Sequence, residues 1–467
     1  MKRWCKVVLV FWGCTALVGC ASYPRNPQLA KYEPGAGYRF NNLSSPKNSD
    51  SLFVILSFSG GGTRAAALSY GVMEKLRGTK ITWEGEERRL LDEVDVISSV
   101  SGGSFTAAYY GLFGEGLFEK FEQAFLYKDI QGKLVGSLWS PVNWFRLASP
   151  TFGRIDLASE LYDREIFDGK TYADLLRQGR PFVLLNATDM SMGAQFTFEQ
   201  AQFDPLCSDL GGVHVASAVA ASSNFPVAFT PLTLNNHAGG CDFKEPEWVG
   251  KGIKDAQPNP ERYNRARIAR SYLDAKERPY LHLLDGGISD NIGLRGPLVA
   301  LRSNDPQWSL LNKIGNGEIK KLVVITVDAK TSPPFKFDKS SSPPDVKDVL
   351  ETVATVPMQN YSFDTVELLR KEFEGWDKAR RNYAGCEAIL HQKCPGQTMP
   401  VPPLPPLGLY RVYVGFDQIE DESERRYFQS MATSFHLPRK QVDDLRRIAR
   451  ELLDQSRDFH QLTVDLR

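Results

Sequence analysis

The sequence predicts an α/β fold, a three-layer α/β/α core with a mainly parallel sheet, followed by an α+β extension at its C-terminal end. Three observations support this. Short apolar runs rich in β-branched residues recur over the first 330 residues, and the first two each lead through a loop of small residues into a segment of helical period. Such alternation describes strands joined by crossover helices, which makes neighbouring strands parallel. The residues best suited to chemistry fall at the ends of these runs, where parallel sheets gather their sites.

The first run, Leu52-Phe53-Val54-Ile55-Leu56, leads into Ser59-Gly60-Gly61-Gly62-Thr63-Arg64, after which Leu68, Val72 and Leu76 share one helix face. The second, with Val94, Val96 and Ile97, leads into Ser99-Val100-Ser101-Gly102-Gly103. Phe105, Ala108, Tyr109, Leu112 and Phe113 then recur at spacings of three and four. A serine at a sharp strand-to-helix turn, flanked by small residues, describes a nucleophile elbow. Its usual form is G-x-S-x-G, and here Ser99 replaces the first glycine. A third run, 280–284, ends at Asp285-Gly286-Gly287. In chain order the three junctions offer bare backbone N–H groups, a serine and a carboxylate, the parts that acyl transfer requires. The runs 181–188 and 321–328 read as further buried strands and 195–199 as a shorter one, with Asp189 as a turn residue beyond a strand end.

Together these residues resemble the patatin-like phospholipase family, including its cytosolic phospholipase A2 branch. The family pattern is a glycine-rich loop with a nearby basic residue, an elbow serine, and Asp-Gly-Gly or Asp-Gly-Ala. All three occur here in that order over roughly residues 50–290. Ala65 departs from the closing glycine of many members. Ala220-Ala221-Ser222-Ser223, ahead of Asn224-Phe225-Pro226, is similar to the family's small-residue helix before the last core strands. The resemblance implies a serine lipid acyl hydrolase of phospholipase A or lysophospholipase type. Ser101 would be the nucleophile, Asp285 its base in a dyad without histidine, and Gly60, Gly61 and Gly62 the oxyanion loop, with Gly61 and Gly62 as the N–H donors. Arg64 would either bind a lipid phosphate or form an ion pair at the start of its helix. The substrate would be a lipid or phospholipid acyl ester, and neither a cofactor nor a metal is called for.

Two alternatives stay open at this point. The chain order Ser, Asp, His also suits an α/β-hydrolase triad, with His391, His436 or His460 in the third role. His282, three residues before Asp285, would face the opposite side of an extended strand. A tethered scaffold that keeps this fold without turnover is the other alternative. A nucleotide-binding loop is disfavoured, because Gly60-Gly61-Gly62 lacks the Gly-Lys-Ser/Thr ending of a P-loop.

Lys+Arg and Asp+Glu are both 56, so no global basic field exists to draw in nucleic acid. Lys2, Arg3 and Lys6 precede an apolar stretch at 7–18, followed by Gly19-Cys20-Ala21-Ser22. Residues 1–19 therefore read as a secretory leader, too short to span a bilayer. Leu17-Val18-Gly19-Cys20 looks like a lipobox, which makes Cys20 the lipidated N-terminus of an exported, membrane-anchored lipoprotein. Ala21 suits outer-membrane sorting in a host with two membranes. Residues 20–48 read as a tether and 49–330 as the catalytic domain. Among the four remaining cysteines, Cys207–Cys241 and Cys386–Cys394 are the pairings that close local loops, the alternative being free thiols.

Between the elbow helix and the 181–188 strand the pattern is helical and aromatic. Burial habits place Trp139, Trp144 and Phe145 in the core, the alternative being a cap over the acyl pocket or a surface that dips into lipid. Residues 235–279 read as a long polar excursion. Past 330, residues 346–382 read as helix, 399–407 as a proline-dense loop, 409–414 as a strand, and 438–453 as an amphipathic helix turning Val442, Leu445, Ile448, Ala449 and Leu452 inward. This extension, 331–467, is expected to pack on the core.

Overall fold

In the computed structural model, residues 26–226, 229–303, 310–332, 337–401 and 406–467 are described. The leader, Cys20 and the start of the tether lie outside the described residues. The apolar runs become strands β1 (Leu52–Phe58), β4 (Val94–Val100), β5 (Phe182–Asp189), β8 (Tyr280–Asp285) and β9 (Lys321–Asp328). They are joined by β6 (Ala194–Thr197), β7 (Leu232–Asn235) and β10 (Gly408–Gly415), while β2 (Lys80–Trp83) and β3 (Glu86–Arg89) form a separate hairpin.

The main sheet runs β10-β9-β1-β4-β5-β8-β7, with β6 also paired to β5. From β10 to β5 every pair is parallel, whereas β8 lies antiparallel to both β5 and β7. Every residue of β1 and β4 is buried, because helices cover both faces; β1 accordingly reads as a near-continuous apolar run, while β4 also buries Asp95, Ser98 and Ser99. β8 instead alternates, burying Leu281, Leu283 and Asp285 and exposing Tyr280 and His282.

The two crossover helices at the site are α1 (Gly62–Gly78) and α2 (Gly102–Phe113). After them come α3 (Ile130–Leu138), α4 (Pro141–Leu147), α5 (Arg154–Tyr162) and the small-residue helix α6 (Val215–Ser222). The 235–279 stretch is more regular than its polar composition suggests, since it contains helices at Glu247–Gly252 and Pro260–Ser271.

The C-terminal segment does more than pack on a finished core. β10 pairs with β9 along its whole length and forms the edge of the same sheet. Helix α8 (Arg439–Gln455) buries Val442, Leu445, Ile448, Ala449 and Leu452 against the protein. It crosses α1 so closely that a Cβ on Gly71 would lie 2.6 Å from the Arg446 carbonyl oxygen. Between β9 and β10 runs the long helix α7 (Val346–Lys393).

Two expectations are corrected here. Trp139, Trp144 and Phe145 are not core residues: they are 75%, 56% and 56% exposed. The first of their short helices buries Ile130 and Leu134, and among the described residues no further layer covers the other side. Cys386 and Cys394 are both free and exposed, whereas Cys207 and Cys241 form a disulfide with their Cα atoms 5.4 Å apart. Cys386 sits within α7 and Cys394 caps its end. Eight residues of helix separate them by about 12 Å along the axis, beyond the roughly 7 Å that a disulfide can span.

Candidate active site

The elbow follows from where small residues are required. Ser101 stands between β4 and α2 with φ 49° and ψ −120°, a conformation costly for any residue with a side chain. Its N–H donates to the Ser222 hydroxyl at 2.9 Å. That hydroxyl also bonds Ser104 at 2.9 Å, and Ser104 bonds Ser99 at 3.2 Å. A buried chain of serines thus holds the strained turn, and Ser99, in the place of a glycine, is part of it. Gly102 and Gly103 are sterically demanded: a Cβ would lie 2.0 Å from the Gly62 carbonyl oxygen or 2.7 Å from the Phe58 Cβ, respectively.

Asp285 ends β8 and is 3% exposed. Its carboxylate accepts the Gly287 N–H at 2.8 Å, and the Ser101 side chain lies near enough to favour its charged form. Burial raises its pKa to about 7, against the opposing pull of those two groups. The second glycine of Asp-Gly-Gly has a packing reason as well, since a Cβ on Gly287 would meet the Asn291 side-chain oxygen at 2.7 Å.

The glycine loop lies against the elbow. Gly61 (φ 140°) and Gly62 (φ 60°) occupy backbone conformations that only glycine adopts cheaply. Neither of their N–H groups has a hydrogen-bond acceptor among the described residues. Gly60 is different, because its N–H donates to the Asn291 carbonyl at 3.0 Å. It therefore drops out of the expected oxyanion hole, and Gly61 and Gly62 are left as the two available donors.

Arg64 is buried, and its planar fork ties distant segments together. Nε donates to the Ala329 carbonyl at 2.9 Å, Nη1 to the Met431 carbonyl at 2.7 Å, and Nη2 to the Thr433 hydroxyl at 3.0 Å. Burial lowers its pKa to about 10, with the Asp328 charge acting in the opposite sense. Its guanidinium lies directly beside Gly61. Positive charge thus reaches the site, through a residue whose visible bonds are to protein and not to an ion-pair partner at the helix start.

Ser101, Asp285, Gly60, Gly61, Gly62 and Arg64 all line one cavity of about 440 Å³. Leu134, Leu138, Leu157, Phe225, Phe229 and Met358 supply much of its apolar wall. A reactive polar end that opens into an apolar chamber of this size suits a ligand with a long hydrocarbon part.

None of the six histidines lines this cavity. His282 bonds Thr233 at 3.0 Å, and His436 lies 3.9 Å from Asp129. Asp189 is engaged elsewhere, in an ion pair with Arg278 at 2.8 Å. Among the described residues no cluster of His, Cys, Asp and Glu could hold a metal, and no helix is long and apolar enough to cross a membrane.

Three contributors went unseen in the sequence. Ser222 had only its place in a small-residue helix to mark it. Asn291 lies between the loops of Gly60 and Gly287, six residues past Asp285. The third is the segment 431–435: the Ser434 carbonyl accepts the Thr63 N–H at 2.8 Å, and Thr433, Ser434 and Phe435 line the cavity.

Ser101 and Asp285 thus share one cavity with two backbone amides that have no acceptor among the described residues. The family described as Patatin-like phospholipase matches residues 56–298, more than half of the chain. The chain belongs to the patatin-like phospholipase family, and this membership supports a lipid acyl hydrolase. No curated protein sequence matches it. Among solved structures, human GIVD cytosolic phospholipase A2 is similar at 13% identity and TM-score 0.42, over 89% of this chain and 60% of that one. Its complex with methyl gamma-linolenyl fluorophosphonate gives 12% identity and TM-score 0.39, over 90% and 59%. VipD from Legionella pneumophila gives 12% identity and TM-score 0.26, over 92% and 72%. The chain thus spans about 60% of the length of the human structures.

Proposed function

We propose that the protein hydrolyses lipid acyl esters through a covalent acyl-enzyme on Ser101, with Asp285 as general base and no histidine. The observation that carries this reading is that Ser101, at the strained elbow, and the buried Asp285 carboxyl line one cavity that no histidine lines. Asp285 takes the hydroxyl proton as Ser101 Oγ attacks the acyl carbonyl carbon. The oxyanion that forms is held by the Gly61 and Gly62 N–H groups, each such donor typically being worth about 10²–10³ in rate. The Arg64 charge beside Gly61 favours the same developing negative charge. Collapse breaks the ester bond, and the departing alcohol takes the proton from Asp285. A water molecule, deprotonated by Asp285, then attacks the acyl-enzyme and releases the fatty acid, which restores Ser101.

Phospholipase A or lysophospholipase activity is the substrate class this reading favours. We further propose that Cys20 carries the lipid that anchors an exported protein, so that Cys20→Ser moves it out of the membrane fraction. The decisive experiment is release of fatty acid from a lipid panel by the purified protein beside its Ser101→Ala variant. Turnover that disappears with Ser101 supports the reading. Turnover that survives the substitution, or no turnover on any acyl ester, overturns it.

A further inference from the structure

The exposed aromatics lie next to the cavity that holds Ser101. Leu134, Val135 and Leu138 of α3 line that cavity, and Val135 is at the same time half-exposed. From there an apolar surface continues through Trp139 to Val142, Trp144 and Phe145, with Val142 67% exposed. The Trp144 indole N–H donates to the Leu138 carbonyl at 2.6 Å, which fixes α4 against α3. A second apolar stretch starts the long helix α7. Val346, Val349, Leu350, Val353 and Val356 are exposed there, while Thr355, Met358 and Gln359, on the same turns as the last two, line the cavity.

Apolar side chains on this scale are unusual on a protein surface unless something covers them. The charge pattern narrows what that is. Between residues 130 and 155 the ionisable side chains are Lys133, Arg146 and Arg154, with no Asp or Glu. Lys133 and Arg146 are part-exposed and reach back to Glu165 and Glu160 on the protein side. Trp and Phe projecting from a short hairpin whose only charges are cationic is the composition of a segment seated in the interface of a bilayer. There the rings sit at headgroup level, and the absence of acidic side chains spares them repulsion from lipid phosphates. A protein partner held permanently on this face would obstruct the entrance to the cavity, whereas a bilayer would supply it.

We propose that the α3–α4 hairpin is the surface by which the protein seats on a phospholipid bilayer, with the mouth of the Ser101 cavity turned to the headgroup layer. This rests on the lipid-hydrolase reading for its purpose, although not for its test. The test compares vesicle co-flotation of the full-length chain carrying Cys20→Ser and Ser101→Ala with the same chain bearing Trp139→Ser, Val142→Ser and Phe145→Ser in addition. The first pair of changes removes acylation and lipid digestion from both arms. Vesicles of phosphatidylcholine are used, with and without phosphatidylglycerol.

The hairpin substitutions should lower the vesicle-bound fraction at least about tenfold on both compositions. About 0.5 M salt should lower it less, because the insertion is mainly apolar. The single variant Trp139→Ser, at the most exposed of these positions, should show a smaller loss in the same direction and guards against misfolding of the triple variant. Equal flotation of folded parent and triple variant overturns the proposal. So does a parent that light scattering shows to be a dimer and a triple variant that is monomeric, since a second copy then covers the face. Should the protein with Ser101 intact release no fatty acid while flotation still depends on the hairpin, the docking surface stands and only the hydrolytic reading falls.

Discussion

Replacing Asp285 by Asn preserves the shape of the turn after β8 and removes the carboxylate charge proposed to take the Ser101 proton. Burial has moved this carboxyl from an ordinary value of 3.8 to about 7. A base with that pKa is about one-tenth ionised at pH 6 and nine-tenths at pH 8. kcat/KM on a soluble ester should therefore rise about tenfold across that interval, with a midpoint near 7. The Asn variant should lose about 10²–10⁴ in rate and its rising limb with it. Stability moves the other way. Between about pH 4 and 7 the folded protein keeps a proton that the unfolded chain has released, so stability falls as pH rises through this window. At about 1.36 kcal/mol per pH unit the cost approaches roughly 4 kcal/mol above pH 7, and Asn avoids it. Thermal denaturation at pH 8 should thus find Asp285→Asn at least as stable as the parent, with the advantage gone by about pH 4. A variant that is more stable and nearly inactive separates catalysis from folding. The reasoning is refuted if Asp285→Asn keeps turnover within tenfold of the parent, if the rate is flat from pH 6 to 8, or if a folded single histidine variant falls to the Ser101→Ala level.

Gly102→Ala places a methyl group 2.0 Å from the Gly62 carbonyl oxygen, so it should cost about 3 kcal/mol or more, read as a lower denaturation midpoint, and abolish turnover. Thr433→Ala removes one hydrogen bond to a buried cation and should cost about 1–3 kcal/mol. Arg64→Lys cannot span the Ala329, Met431 and Thr433 acceptors and should cost more by the same denaturation assay, with fatty-acid release falling as well. Peptide mapping of the native, unreduced protein should recover Cys386 and Cys394 alkylated and Cys207 joined to Cys241.

The parallel centre of the sheet was legible because β1, β4 and β9 are buried on both faces and are rich in β-branched and other apolar residues. Ser101, Asp285 and the glycine loop were legible because each ends such a run with residue types that chemistry or close backbone contact requires. What escaped acts through groups that leave no trace in residue type. Ser434 and Met431 contribute carbonyl oxygens, which every residue has. That the Gly60 N–H is already engaged was not legible, because its acceptor, the Asn291 carbonyl, comes from a loop 231 residues further along the chain. Trp139 was assigned to the core by the burial habits of its type, which do not reveal whether a covering layer exists. The helix past residue 382 has little apolar stripe to announce it, since its last turns are largely solvated. With no loop there, the Cys386–Cys394 pairing had no geometry to support it.

The reach of Arg64 to Met431 and Thr433 bears on when the protein becomes competent. A chain grows from its amino end, so the serine and its carboxylate are made well before the loop that cradles them. A fragment ending at residue 330 would possess Ser101, Asp285 and the whole family-matched stretch. It would still lack the partner strand of β9, the carbonyl that satisfies Thr63 and two of the three acceptors of a buried cation. The surroundings of Ser101 and Asp285 are therefore complete only when residues 408–435 have been made and folded onto them.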